Sequence, residues 1–148
     1  MTARIFEVRE RVRWSDCDPA RIIFYGAYVR LLQVAETELY RDLGFLMTTF
    51  FDKLDFGLPR RHLEFDFERP ALLDDELLMR SHIANVGTSS FTLKTEFVRS
   101  EDSQLLATSS LVLVSIDRAT MRSKPLPEIF ANALRAAAEG KKSCAPDS

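Results

Sequence analysis

The segment Trp14-Ser-Asp16-Cys-Asp18-Pro-Ala-Arg21 spaces two carboxylates one residue apart, and Ile-Ile-Phe-Tyr25-Gly-Ala-Tyr28 follows at once. Both acids come just after an amphipathic strand pattern and just before a helix start. The first N–H groups of a helix have no partner within it and carry the positive end of its dipole. A carboxylate beside them can attack or activate water while the helix mouth holds an anion, a combination suited to acyl transfer. By spacing alone, Asp18 reads either as such an acid or as a turn or capping residue. Asp16 reads as a holder of the loop, accepting backbone N–H bonds.

The elements that must position these acids are legible in the periodicity. Residues 5–14 alternate, with Phe6, Val8, Val12 and Trp14 on one face and Glu7, Arg9, Arg11 and Arg13 on the other, which predicts a half-buried strand. Pro19-Ala20 marks a loop. Residues 26–43 predict a helix: at ~100° per residue, Tyr28, Leu31, Leu32, Ala35, Leu39 and Leu43 form one stripe and Arg30, Thr37 and Arg41 lie opposite. Gly44 is its natural stop. Residues 45–56 are aromatic without a clean period and read as a short irregular or helical excursion. Strand patterns follow at 63–68, 76–86, 90–99 and 105–116, the last apolar on both parities as in a central strand. Asp74-Asp75, Gly87 and Glu101-Asp102-Ser103 are turns, the last two short enough for hairpins. Residues 127–139 predict a second helix with Gly140 as its stop, and 141–148 a loose tail.

This order predicts an α+β fold, an antiparallel sheet wrapped around one long central helix. A parallel βαβ arrangement would need helices between strands, and they are missing. That also weighs against a metal-dependent phosphotransferase, where Asp-x-Asp follows a buried parallel strand; here the strand before it is arginine-rich on one face. Residues 1–148 show no repeat or linker and read as a single domain. At 46% apolar and 28% charged residues, the 148-residue chain reads as globular with a real core. A net charge of −2 gives no bulk pull toward nucleic acid or an anionic membrane. No apolar run approaches the ~20 residues that span a bilayer. Without a signal-like stretch, and with only Cys17 and Cys144, which make no disulfide framework, the expected compartment is the cytoplasm.

Loop and element order together resemble the hotdog fold, and within it the 4-hydroxybenzoyl-CoA thioesterase-like family. The residues that carry the likeness are Asp16-Cys-Asp18-Pro19-Ala20, then Ile22-Ile23-Phe24-Tyr25 and Tyr28, with Ala35-Glu36-Thr37-Glu38 in the helix. The resemblance covers roughly residues 5–130. It implies an acyl-CoA thioesterase that releases a carboxylic acid and free CoA, with an aromatic acyl group favoured. Asp18 would be the nucleophile or general base, and the Tyr25 backbone N–H would polarise the carbonyl. Trp14, Phe24 and Tyr28 would line the acyl slot, the aromatic residues of 45–56 would help close it, and Gln33 would touch the distal end of the acyl group. Asp16 and Glu36 would stand behind the reacting groups, Glu36 either paired with an arginine or lining the pocket. Arg60 and Arg61, or Arg122 and Lys124, are candidates for the CoA phosphates, with solvated surface as the alternative. The family forms dimers with the site at the interface, so a homodimer or homotetramer is expected. No metal is expected, and no cofactor beyond the CoA of the substrate.

Three departures stand out. Arg21 replaces the family's glycine, which implies an altered turn. Ala27 replaces an asparagine, removing an amide near the helix start. Gly87-Thr-Ser-Ser90 replaces a basic cluster that holds CoA phosphates in some members. The Cys17 thiol, between two carboxylates, is expected to be inert. His62 and His82 lack metal-ligand spacing. A second reading keeps the fold and silences the site: a non-catalytic binder of acyl-CoA or an acyl carrier.

Overall fold

A computed structural model of the chain describes residues 2–51 and 53–141; Cys144 and the tail beyond Lys141 lie outside them. Five strands form one sheet: β1 (Phe6–Arg11), β2 (Arg60–Phe67), β3 (Glu76–Val86), β4 (Ser90–Arg99) and β5 (Gln104–Val114). Their order is β1-β3-β4-β5-β2, and every neighbouring pair is antiparallel. Two helices, α1 (Ala27–Asp42) and α2 (Glu128–Ala138), complete the elements that carry the core.

The 3.6-residue apolar stripe of α1 is the face it buries. Tyr28, Leu31, Leu32, Ala35, Leu39 and Leu43 are all buried, each large side chain contributing about 1.5–3 kcal/mol. The Tyr28 ring centroid lies 5.3 Å from that of Phe67 and 5.2 Å from that of Phe97. Those two rings belong to one row of the sheet, Met79–Phe97–Ala107–Phe67. Gly44 ends the helix at φ 94°: its N–H donates to Arg41 O and the Phe45 N–H to Tyr40 O, at 3.0 and 2.8 Å. Only glycine takes that left-handed conformation without strain.

Four expectations need correction. β1 stops at Arg11 rather than running to Trp14, because the Asp16 carboxylate and the Arg13 carbonyl wind 14–16 into a short 3-10 turn. Trp14 therefore leaves the core and is 76% exposed. β2 begins three residues before its apolar pattern, at Arg60. One helix does not fill the core alone, since α2 buries Phe130, Ala131, Ala133, Leu134 and Ala137. The aromatic excursion at 45–56 packs on α2 instead of closing an acyl pocket: Phe45, Phe50, Phe51 and Phe56 gather around Phe130 at centroid distances of 5.2, 5.5, 5.6 and 6.2 Å. Among the described residues no helix is long and apolar enough to cross a membrane.

Candidate active site

The loop between β1 and α1 is tied down at both ends. Val12 N–H donates to Asp75 O and Asp74 N–H to Val12 O, at 2.8 and 3.1 Å. Asp16 then turns inward and is buried. Its carboxylate accepts two bonds from the Arg30 guanidinium, 2.9 and 2.6 Å, and one from the Arg13 N–H, 2.8 Å. Arg30, expected on the solvent face of α1, is thus the partner that makes a buried carboxylate affordable. Burial alone would raise the Asp16 carboxyl, but the Arg30 and Arg13 hydrogen bonds and the Arg30 charge together hold it below its ordinary value.

A carboxyl depressed in the folded state contributes stability above its unfolded pKa and loses it as pH falls through the folded one. Thermal stability should accordingly fall more steeply for the native chain than for Asp16→Asn between about pH 5 and pH 2. Melting curves across that range, showing equal slopes for both proteins, would remove Asp16 from the acid response.

Asp18 points the other way. It is exposed, and one carboxylate oxygen, Oδ1, accepts the Ala20 N–H at 2.8 Å. The main chain closes a turn, with the Arg21 N–H on Asp18 O at 2.9 Å and the Asp18 N–H on Ile22 O at 3.0 Å. Arg21 adopts φ 64°. The turn therefore has the left-handed geometry that suits glycine, which a side-chain-bearing residue tolerates at a cost of about 1 kcal/mol. Asp18 lines a cleft of about 460 Å³ with Trp14, Cys17, Pro19, Arg21 and Leu73. Burial, then the charges of Asp16, Asp18 and Asp74, push the Cys17 thiol up, away from the reactive thiolate.

Phe24 N–H is used, donating to Asp16 O at 2.9 Å. Among the described residues, the next two N–H groups, of Tyr25 and Gly26, donate to nothing. Gly26 caps α1 without a side-chain bond, and the first turn holds no acid. The helix mouth is thus open to an anion. A Cβ on Gly26 would lie 2.6 Å from the Phe24 ring, so a side chain there would push that exposed ring aside.

Tyr25 and Tyr28 line a second groove, about 280 Å³, with Ile22, Ile23, Phe67, Glu68, Arg69 and Pro70. Asp18 and Tyr25 thus face two clefts built from the same loop, rather than one. Burial pushes the Tyr28 phenol up to about 12, and its hydroxyl is buried without a partner among the described residues. Phe24 is exposed and lines neither cleft, and Gln33 is exposed on α1.

Glu36 is buried on α1, where its carboxylate accepts the Tyr40 hydroxyl at 2.8 Å and the Arg60 guanidinium at 2.5 and 2.7 Å. Burial and the Glu36 charge hold the Tyr40 phenol well above its ordinary value, so it stays a donor. The guanidinium of Arg60, half exposed, also donates to Leu58 O, and these bonds count against its use for CoA phosphates. Arg61 is exposed at the β2 irregularity opposite β5, between Arg60 and His62. His62 lies 3.7 Å from Glu64, and His82 faces a separate hollow on β3.

Residues 12–134 match the model of the thioesterase-like superfamily. The chain belongs to that superfamily. This thioesterase is 24% identical over 124 residues to a 1,4-dihydroxy-2-naphthoyl-CoA hydrolase of Synechococcus elongatus, covering 83% of this chain and 90% of the relative. It is 25% identical over 129 residues to the acyl-CoA thioester hydrolase YbgC of Escherichia coli, covering 86% and 94%. In three dimensions it resembles Slr0204, a 1,4-dihydroxy-2-naphthoyl-CoA thioesterase from Synechocystis, with a TM-score of 0.82 at 24% identity over 88% of this chain and 96% of the other. The antiparallel sheet around α1 is the hotdog fold of such thioesterases.

Proposed function

We propose that this thioesterase hydrolyses acyl-CoA to a carboxylic acid and free CoA, with Asp18 as the reacting carboxylate. The observation that carries the reading is the pairing, on one loop, of an exposed carboxylate held by a single oxygen with two unpaired N–H groups at the mouth of α1. A thioester has a good leaving group, so hydrolysis needs a nucleophile or base, donors for the oxyanion and a dry slot. Asp18 serves by either of two routes. Its free oxygen attacks the carbonyl carbon, the thiolate leaves, and water then splits the mixed anhydride. Or it takes a proton from water, whose oxygen adds to the carbonyl before the thiolate departs. In both, the acyl carbonyl must bridge from the Asp18 cleft to the Tyr25 groove, where the Tyr25 N–H donates to the developing oxyanion, a contact worth about 3 kcal/mol. The rings of Tyr25, Tyr28 and Phe67 around the second groove favour a flat, aromatic acyl group.

Hydrolysis of a panel of aromatic and aliphatic acyl-CoA thioesters, followed by thiol release and compared with Asp18→Asn, tests the reading. Binding without turnover across the panel would make the protein an acyl-CoA binder instead.

A second copy of the chain is part of this proposal. β2 is an unpaired edge strand, with Leu63 40% and Phe67 53% exposed. Such an edge invites pairing with another chain, and Phe67 carries it to the rim of the Tyr25 groove. Sedimentation should give a homodimer or homotetramer. A monomer at assay concentration, with full activity, would show that one chain suffices.

A further inference from the structure

The Asp18 cleft carries one side chain that the proposed reaction leaves unused. Arg21 stands on its rim, exposed, and among the described residues its guanidinium makes no ion pair or hydrogen bond. Of the other arginines at this end of the molecule, Arg69 lines the Tyr25 groove, exposed and without an ion pair among the described residues, and the rest are committed. Arg9 and Arg11 pair with Glu76, Arg13 with Glu10, Arg30 with Glu10 and Asp16, and Arg99 with Asp75 and Asp102. Arg21 also occupies a left-handed backbone position where glycine would be unstrained, fixed by its N–H on Asp18 O and by the Leu73 N–H on its own carbonyl at 3.0 Å.

The electrostatics give that cation a purpose. Asp16 is neutralised by Arg30, but Asp18 and Asp74 are exposed near the cleft without a salt-bridge partner among the described residues. Without Arg21 the cleft would be negative and would repel an anionic substrate. The β3–β4 turn, Gly87-Thr-Ser-Ser90, carries no cation, Arg60 is held by Glu36, and Arg61 and Arg122 are exposed but do not line this cleft. A guanidinium offers a planar fork of donors that fits a carboxylate or a phosphate.

We propose that Arg21 recognises an anionic oxygen group of the substrate, either a carboxylate on the acyl group or a phosphate of CoA. The inference rests on the acyl-CoA thioesterase reading and adds a specificity determinant to it.

The test compares the native chain with Arg21→Gly and Arg21→Lys. Glycine suits the φ 64° position, so a defect in Arg21→Gly is not misfolding. Three substrates separate the sources: glutaryl-CoA, valeryl-CoA, and the glutaryl thioester of N-acetylcysteamine, which has no phosphate. Arg21→Gly should raise KM about tenfold for the substrates that carry the recognised group, the loss expected of a charge-assisted bond, with kcat nearly unchanged and partial recovery in Arg21→Lys. A rise for both CoA substrates but not the N-acetylcysteamine thioester identifies a phosphate. A rise for both glutaryl thioesters but not valeryl-CoA identifies the acyl carboxylate. Unchanged KM for all three, or a fall in kcat alone, overturns the proposal. If the native chain hydrolyses none of them, these acyl groups are not its substrates, and the aromatic panel above remains the test of the thioesterase reading. Calorimetric binding of CoA and glutaryl-CoA then decides for Arg21, and equal affinity in the native chain and Arg21→Gly, or no binding at all, overturns it.

Discussion

Asp18→Asn should lower kcat for thioester hydrolysis by about 10²–10⁴-fold, the range for loss of a positioned acid–base group, while leaving KM and the melting temperature close to those of the native chain. The amide can neither attack a carbonyl nor take a proton from water, but its oxygen still accepts the Ala20 N–H that shapes the turn. The loop also keeps its other anchors, the Asp16–Arg30 pair and the main-chain bonds of Val12 with Asp74 and Asp75. Activity and fold should therefore separate in this variant. Steady-state kinetics beside a thermal melt make the comparison. If kcat stays within about tenfold of the native value, one decade being about 1.4 kcal/mol of barrier, the reacting group lies elsewhere. Single-turnover hydrolysis in H₂¹⁸O distinguishes the two routes, since label reaches the Asp18 carboxylate only through the anhydride.

The second large effect is on stability. Glu36→Ala should destabilise the protein by about 3 kcal/mol, the low end for breaking a buried ion pair, or a melting temperature lower by about 10 °C at this size. The substitution strips a hydrogen-bond acceptor from Tyr40, whose hydroxyl is buried, and unties Arg60 on β2 from α1. Arg60 is half exposed and can return to water, which keeps the loss at the low end. Glu36→Gln should lose less, because the amide oxygen still accepts from Tyr40. Should Glu36→Ala melt normally and yet lose turnover, Glu36 would be a reacting group and not a tie between helix and edge strand.

Much of this arrangement was legible in the sequence, and the reasons are physical. The buried stripe of α1 is a 3.6-residue period, and the core faces of β3 and β4 are a two-residue period. Both are local, so Leu31 or Phe97 can be placed inward without knowing the neighbours. The acidic loop was legible because Asp-x-Asp-Pro-Ala interrupts those periods. What escaped was long-range. Arg30 reads as a surface residue until Asp16, fourteen positions earlier, folds back beneath it. Glu36 could be assigned a need for a partner but not the partner, because Arg60 arrives from another strand. Trp14 continued the alternation of β1 in sequence, and only the carboxylate two residues later turns the chain away. Arg21 was legible as a departure from a family pattern. That its backbone would nonetheless hold the left-handed turn depends on bonds to Asp18 and Leu73 that no local pattern displays.

The bond from Ala20 to Asp18 has a bearing on how freely this loop can drift. Its donor is main chain, so it survives almost any exchange of the methyl group at position 20 and is lost only to an imino acid. The orientation of the Asp18 carboxylate is thereby insulated from most point changes at the loop tip. Natural variation there can alter which molecules are admitted without turning that carboxylate away.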